Sequence, residues 1–230
     1  MQLSKRLLAV SNLVTCTGCL ADVGTDHGYI PIYLTEAGKI SRAIAMDINK
    51  GPLERAREHI RQKKLEDRIE TRLSDGVMAL QPGEVQTVVI AGMGGNLIQK
   101  ILREGREILF QTEECILQPQ SEIELVRKCL QEEGYCIQEE DMVWEDGQYY
   151  PMMRVIHGSM NLLDIIEYRY GPCLLKKKHP CLVRYLKQEE EKWLGVLQKL
   201  KEQHTERAEQ RIGDVTDQLA QIQRAKERMR

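Results

Sequence analysis

The chain lacks several things that would define other classes of protein. No apolar run approaches the ~18 residues of a membrane-spanning helix, so no membrane partner is expected. The N-terminal residues contain no apolar h-region, which leads us to expect no secretory signal and a cytoplasmic location. Cys16-Thr17-Gly18-Cys19 is a lone C-x-x-C, with no second pair and no His at ligand spacing. A redox pair or half a zinc site is the sharp reading; the plainer one, which we favour, packs Cys19 as a small apolar residue at the start of a strand. No metal is expected. The 7 cysteines are an odd number and sit mostly in apolar runs, as suits reduced thiols. Net charge is nearly absent as well, at −2. That balance hides an asymmetry: Pro172–Arg230 carries 14 Lys+Arg against 9 Asp+Glu, a net of +5, so the rest of the chain carries −7. A basic tail permits a polyanionic partner without demanding one.

What is present is organised around Cys19–Pro31, CLADVGTDHGYIP. A short apolar strand, Cys19–Val23, breaks at Gly24. Two polar residues follow, then Gly28, then an apolar helix over Tyr29–Ala37. Strand, glycine turn and helix is how an open α/β sheet makes a nucleotide pocket, because glycines let the backbone approach a ligand and the helix start offers free N–H groups. The dinucleotide fingerprint G-x-G-x-x-G is broken: its middle glycine is Asp26, whose carboxylate would repel a pyrophosphate. An adenosyl ligand with a cationic amino-acid tail, S-adenosylmethionine, suits the loop better. The alternative is a glycine-rich turn with no ligand.

The remaining pattern alternates strands and helices. Leu3–Val14 has a helical apolar stripe expected to cover the start of the sheet. Arg42–Ile48 is a buried strand ending in Asp47, 23 residues after Gly24, where an acceptor-only carboxylate can grip two ribose hydroxyls or, more plainly, cap the next helix. Ile69–Leu73 is a weaker strand leading to Asp75-Gly76, where the Asp can accept from an adenine amine or simply form an Asx turn. Thr87–Ala91 reads as a central parallel strand. It runs into Gly92-Met93-Gly94-Gly95-Asn96, whose glycines are expected to let a ligand approach, with Asn96 capping a helix to about Leu109. Cys115–Leu117 is a fifth strand, and Ser121 with Glu124 forms a capping box for the next helix. Tyr135–Trp144 and Tyr149–His157, joined at Asp146-Gly147, predict a closing antiparallel hairpin. After residue 158 the chain is helical: a short helix over residues 161–170, then two long helices breaking near residues 204–213. The expected domains are 1–158 and 159–230.

Residues Asp22–Pro31, AMDIN (45–49), SDG (74–76), IAGMGG (90–95) and LQPQ (117–120) together resemble the class I S-adenosylmethionine-dependent methyltransferases, and more closely the TrmK family of bacterial tRNA (adenine-N1)-methyltransferases, which act on adenine 22 in the D-arm. The resemblance spans the whole chain. It implies a Rossmann-like α/β fold with a mostly parallel seven-stranded sheet ending in an antiparallel hairpin, plus a C-terminal α-helical coiled-coil hairpin that binds tRNA. It implies S-adenosyl-L-methionine as cofactor, S-adenosyl-L-homocysteine as product and tRNA as partner; a monomer is our own expectation. Its cofactor contacts fall on Gly24, Asp47, Asp75 and Gly76. We add Asp22, Thr25, Gly28, Ile48, Ala91, Gly92 and Met93 as cofactor-binding candidates.

Adenine N1 has a lone pair and no proton, so methylation needs alignment rather than a base. The product is cationic, and a nearby carboxylate would stabilise it. Asp26 is the catalytic candidate, with His27 and Tyr29 positioning the base; Asp26 holding the cofactor's ammonium is the alternative. Gly94, Gly95 and Gln118 are substrate-binding candidates near the base. Lys176, Lys177, Lys178 and Arg184, with Lys187, are candidates for RNA phosphates. An N6-methyltransferase would carry [D/N/S]-P-P-[Y/F] after the fourth strand; Ala91-Gly92-Met93-Gly94 stands there instead. An NAD-dependent oxidoreductase would share the fold but need the full glycine fingerprint. A non-catalytic RNA-binding scaffold and a small-molecule methyltransferase are the other readings.

Overall fold

The computed structural model describes residues 2–161, 163–203 and 205–230. The chain divides into two compact units, Met1–Leu162 and Leu163–Arg230. In the first, α1 (Lys5–Leu13) precedes β1 (Cys19–Val23), α2 (Tyr29–Glu36), β2 (Arg42–Asp47), α3 (Lys50–Gln62), β3 (Ile69–Leu73), β4 (Thr87–Met93), α4 (Gly95–Glu104), α5 (Arg106–Leu109), β5 (Glu114–Pro119), α6 (Ile123–Glu132), β6 (Tyr135–Glu145) and β7 (Gln148–His157).

The strands form one sheet in the order β3-β2-β1-β4-β5-β7-β6. The five from β3 to β5 are parallel, and β7 runs antiparallel to both β5 and β6. The parallel strands are apolar on both faces because helices cover both. Leu20, Val88, Val89, Ile90, Ile116 and Leu117 are all fully buried. The β6–β7 turn holds Asp146 and Gly147 at φ 48° and 81°. That is the left-handed pair a two-residue hairpin needs to match strand twist, as the Asp-Gly signal predicts. Strand order reverses between β1 and β4, so the loops leaving those two strands open a crevice at their C-terminal ends.

Local expectations fail where long-range packing intervenes. Helix α1 lies mainly against β6, and also against β5, β7 and α2, while its buried apolar residues share one core cluster with Leu20 of β1. The Glu145 carboxylate anchors it by accepting from the N–H groups of Lys5 (2.6 Å) and Arg6 (3.2 Å). The Ser121–Glu124 capping box does not form. The helix start is Glu122 at φ 46°, and Ser121 Oγ accepts from Gly95 N–H instead. Asn96 sits inside α4, whose N-cap is Gly94. The helix expected to reach Leu109 breaks at Gly105, packed so closely that a Cβ there would lie 2.2 Å from Val77 Cγ2.

Two buried carboxylates hold the unit together. Glu114 accepts from Thr15 N–H (2.9 Å), Thr15 Oγ1 (2.6 Å), Cys16 N–H (3.1 Å) and Thr87 Oγ1 (3.0 Å). Burial alone would raise its pKa, but these bonds outweigh burial and lower it. Glu140 on β6 pairs with Arg127 on α6 at 2.8–2.9 Å, both about fully buried. The Cys16 thiol donates to Glu113, and burial pushes it up to about 11, far from thiolate reactivity.

The second unit holds α7 (Ile165–Tyr170), α8 (Pro172–Lys176), α9 (Pro180–Lys201) and α10 (Glu206–Arg228). Asp164 and Glu167 form a true capping box for α7. Helices α9 and α10 pack as a hairpin along Leu182, Leu186, Val215, Ile222 and Ala225. The break meets only the start of the span 204–213, since α9 ends at Lys201, α10 begins at Glu206 and Gly213 lies inside α10; His204 is outside the described residues. No helix among the described residues is long and apolar enough to cross a membrane.

Candidate active site

The crevice between the β1 and β4 loops is a cleft of about 300 Å³, within the range of small-ligand sites. Its walls are Arg6, Leu7, Asp22, Gly24, Asp26, Tyr29, Ile30, Ala91, Gly92 and Gln120. Six of these are among the residues expected from sequence: Asp22, Gly24, Asp26, Tyr29, Ala91 and Gly92.

The β1 loop is built by backbone. The N–H groups of Gly24 and Thr25 both donate to Met46 O at 2.8 Å, which turns the chain sharply over β2. Gly24 has φ +76°, and a Cβ there would lie 2.1 Å from Met93 Cε. His27 and Gly28 follow at φ 69° and 68°. A non-glycine residue in this region stores strain of a kind that gathers at functional loops. Helix α2 then starts without a side-chain cap.

Charge in the cleft is mixed. Asp22 is buried, and that burial pushes its carboxyl up to about 6; the Asp47 carboxylate pushes the same way. The Thr25 side chain pulls against this, by more than Asp47 adds, although its buried Oγ1 meets no atom with hydrogen-bond geometry. Asp26 is exposed and accepts from Arg55 on α3 at 2.7 Å, with His27 Nε2 3.5 Å away. The rings of His27, Tyr29 and His59 stack near-parallel with centroids 5.1–5.7 Å apart. His59 Nδ1 lies 3.0 Å from the His27 carbonyl, which fixes its ring.

The opposite wall is held by Gln118. This fully buried side chain accepts from Arg6 Nη1 (2.8 Å) and Gly92 N–H (3.1 Å), and donates to the Pro119 carbonyl (3.0 Å). Its amide is thus engaged in placing Arg6 and the glycine loop. Arg6 also lies over the Tyr150 ring, 5.4 Å from its centroid. The glycines after β4 have separate reasons. Gly92 needs its φ of +79°. Gly95 packs on the turn before α6, where a Cβ would lie 2.4 Å from the Ser121 carbonyl oxygen, and Gly94 meets Ser121 Oγ. Close approach at Gly94 and Gly95 is therefore to protein.

Asp47 and Ile48, at the end of β2, and Asp75 and Gly76, after β3, lie along the same rim but do not line the cleft. Asp47 accepts from Asn49 N–H (2.7 Å), Ile48 is 59% exposed, and Lys100 stands 3.9 Å from Asp75. Lys176, Lys177, Lys178 and Arg184 are exposed residues of the second unit, where Lys178 bonds the Arg230 carbonyl. No group of three His, Cys, Asp or Glu among the described residues could hold a metal.

Sequence reasoning missed Arg6, Leu7, Ile30, His59 and Gln120. Arg6 stood on the polar side of a helical stripe, with nothing local to tie it to Gln118, 112 positions on. Gln120 stood inside the quoted LQPQ with no role.

Comparison with known proteins agrees with this geometry. Residues 20–224 match the sequence profile of TrmK, tRNA (adenine(22)-N(1))-methyltransferase. The Bacillus subtilis tRNA (adenine(22)-N(1))-methyltransferase is 32% identical over 232 residues, covering 99% of this chain and 92% of that protein. The crystal structure of Streptococcus pneumoniae Sp1610 superposes with a TM-score of 0.90 at 35% identity, covering 97% and 99% of the two chains. Sp1610 in complex with S-adenosyl-L-methionine gives a TM-score of 0.86 at 34% identity, with the same coverage. The chain belongs to the TrmK family of tRNA (adenine(22)-N(1))-methyltransferases.

Proposed function

We propose that this chain methylates N1 of adenine 22 in the D-arm of tRNA, with S-adenosyl-L-methionine as donor. The cleft at the β1–β4 switch carries the reading, in a chain that matches the family along nearly its whole length. Its residues fit the donor. A zwitterionic amino-acid tail needs an anion and a cation, and the walls offer Asp22 on one side and Arg6 on the other. Gly24 leaves the main chain open to close approach. Asp47 is an acceptor-only group for two ribose hydroxyls, the exposed Ile48 beside it is an apolar surface for a purine, and Asp75 accepts from an exocyclic amine.

Bound S-adenosylmethionine would supply an electrophilic methyl on a sulfonium; an unprotonated ring nitrogen attacks that carbon without a general base, and neutral S-adenosyl-L-homocysteine leaves as the C–S bond breaks. The protein's own task is alignment, which can contribute on the order of 7–11 kcal/mol. Tyr29 and His27 hold the adenine, and Asp26 offsets the positive charge that grows on it. In the free protein Arg55 neutralises that carboxylate. N1 lies on the Watson–Crick edge, so a paired base must first be exposed.

The second unit grips tRNA phosphates through Lys176, Lys177, Lys178 and Arg184, in line with the net +5 of Pro172–Arg230. Replacing the three lysines with Ala will raise the KM for tRNA and flatten its dependence on salt, by up to about one unit of log–log slope for each phosphate no longer neutralised. A KM that stays salt-dependent and unchanged would move the RNA grip elsewhere. The enzyme works as a cytoplasmic monomer, which suits a tRNA substrate and cysteines that are all free.

The deciding experiment is nucleoside mass spectrometry of unmodified tRNA incubated with the protein and S-adenosylmethionine. We expect 1-methyladenosine to appear, and to be lost on Asp47→Ala or Asp75→Ala. Cofactor binding with no methylated nucleoside would favour an RNA-binding scaffold or a small-molecule acceptor.

A further inference from the structure

The segment Gln118-Pro119-Gln120 ends β5 at the cleft with two glutamines in opposite circumstances. Gln118 is fully buried and its amide is committed to Arg6, Gly92 and Pro119. Gln120 is exposed, lines the cleft, and carries the only carboxamide among the lining residues. Its side chain makes no hydrogen bond among the described residues. Yet its main chain is firmly placed: Gln120 N–H donates to the Met93 carbonyl at 2.8 Å, and Pro119 precedes it. A Cβ built on Gly92 would lie 3.7 Å from Gln120 Nε2, so the amide stands beside the bare face of that glycine.

We infer that Gln120 reads the target base through its Hoogsteen edge and thereby determines that the base is adenine. The inference rests on the methyl transfer proposed above. That chemistry turns N1 toward the methyl donor and leaves the Hoogsteen edge for recognition. Adenine presents the N7 acceptor and the N6 amine donor there, and a glutamine amide satisfies both at once. Guanine presents N7 and O6, two acceptors, so the Gln120 carbonyl would face O6 with no proton between them. The slot after β4, where an exocyclic-amine methyltransferase keeps its base-gripping motif, has no aromatic and no proline here. The reading of the base must then come from another wall, and Gln120 is the free amide on it.

The test compares tRNA carrying adenosine or 7-deaza-adenosine at position 22, the second lacking N7. Wild-type protein should lose about tenfold to hundredfold in kcat/KM on the 7-deaza substrate. Gln120→Met keeps the length of the side chain and removes the amide. It should lose a similar factor on ordinary tRNA, lose nothing more on the 7-deaza substrate, and bind S-adenosylmethionine as wild type does. Gln120→Ala should repeat that pattern. The inference is overturned if N7 removal costs wild type nothing, if it costs wild type and variants equally, or if the variants weaken S-adenosylmethionine binding in step with activity. Absence of methylation of ordinary tRNA by wild type would instead overturn the proposed function, and the inference with it.

Discussion

Asp22→Asn will make the fold more stable at neutral pH while removing most of its affinity for S-adenosylmethionine. Asp22 is 6% exposed, and burial pushes its carboxyl from 3.8 up to about 6. The folded chain therefore holds this proton more tightly than the unfolded chain. Between the two values the folded state carries more protons, so stability falls as pH rises through this window and is flat above it. Keeping an ionised Asp22 in the fold costs about 3 kcal/mol at pH 7, less whatever the protein relaxes. An amide of the same shape escapes that cost. Urea unfolding should show the Asp22→Asn variant nearly matched with wild type near pH 4 and more stable by about 1–3 kcal/mol at pH 7. The same burial gives Asp22 its use. An ammonium group placed beside it stabilises the ionised form, so wild-type cofactor affinity should fall as pH drops below about 6. Calorimetric titration across that range checks it. Normal cofactor binding by the Asp22→Asn variant would remove Asp22 from the ligand set.

Arg127→Met will cost about 3–5 kcal/mol of stability, the largest loss we expect from a residue away from the cleft. The guanidinium and the Glu140 carboxylate meet at 2.8–2.9 Å, with 1% or less of each side chain exposed. Removing one partner leaves the other charge buried without its counterion, and desolvation is no longer offset. Replacing both, as Arg127→Met with Glu140→Leu, should recover most of the loss, because two apolar side chains of similar volume need no solvation. Denaturant unfolding of the two single variants and the double variant forms the cycle. A single substitution costing less than about 1 kcal/mol would mean that water reaches the pair and that it behaves as a surface ion pair.

The sites of these two predictions differed in how visible they were. Asp22 is marked by its local context, at the end of an apolar strand and two residues before a glycine turn. The Arg127–Glu140 pair is not, since Glu140 sits in a strand whose alternation reads as half-solvated. Its neighbours on β6 are only partly buried, yet Glu140 faces α6. Capping and helix-stop signals were the least secure. Ser121 had the right neighbours for a capping box, but the close approach of Gly95 drew its hydroxyl to another helix. Glycines 94 and 95 looked like room for a ligand, and the room is taken by the turn before α6.

Local patterning was enough for the alternation of strands and helices, the Asp-Gly hairpin, the glycine loop after β1 and the acids at three strand ends. These are local properties: a period of two or of 3.6, a left-handed turn residue, a charge at the end of an apolar run. Which of those residues share a cleft follows from long-range packing. The crevice exists because β4 lies beside β1, although 63 residues of chain separate Val23 from Thr87. That adjacency brings Gly92 to Gly24, and α1 brings Arg6 to Gln118. It leaves Asp47 and Asp75 on the rim beside the cleft, and it gives the two glutamines of one tripeptide opposite circumstances. No local period encodes such pairings, because they follow from which faces are buried once the sheet has closed.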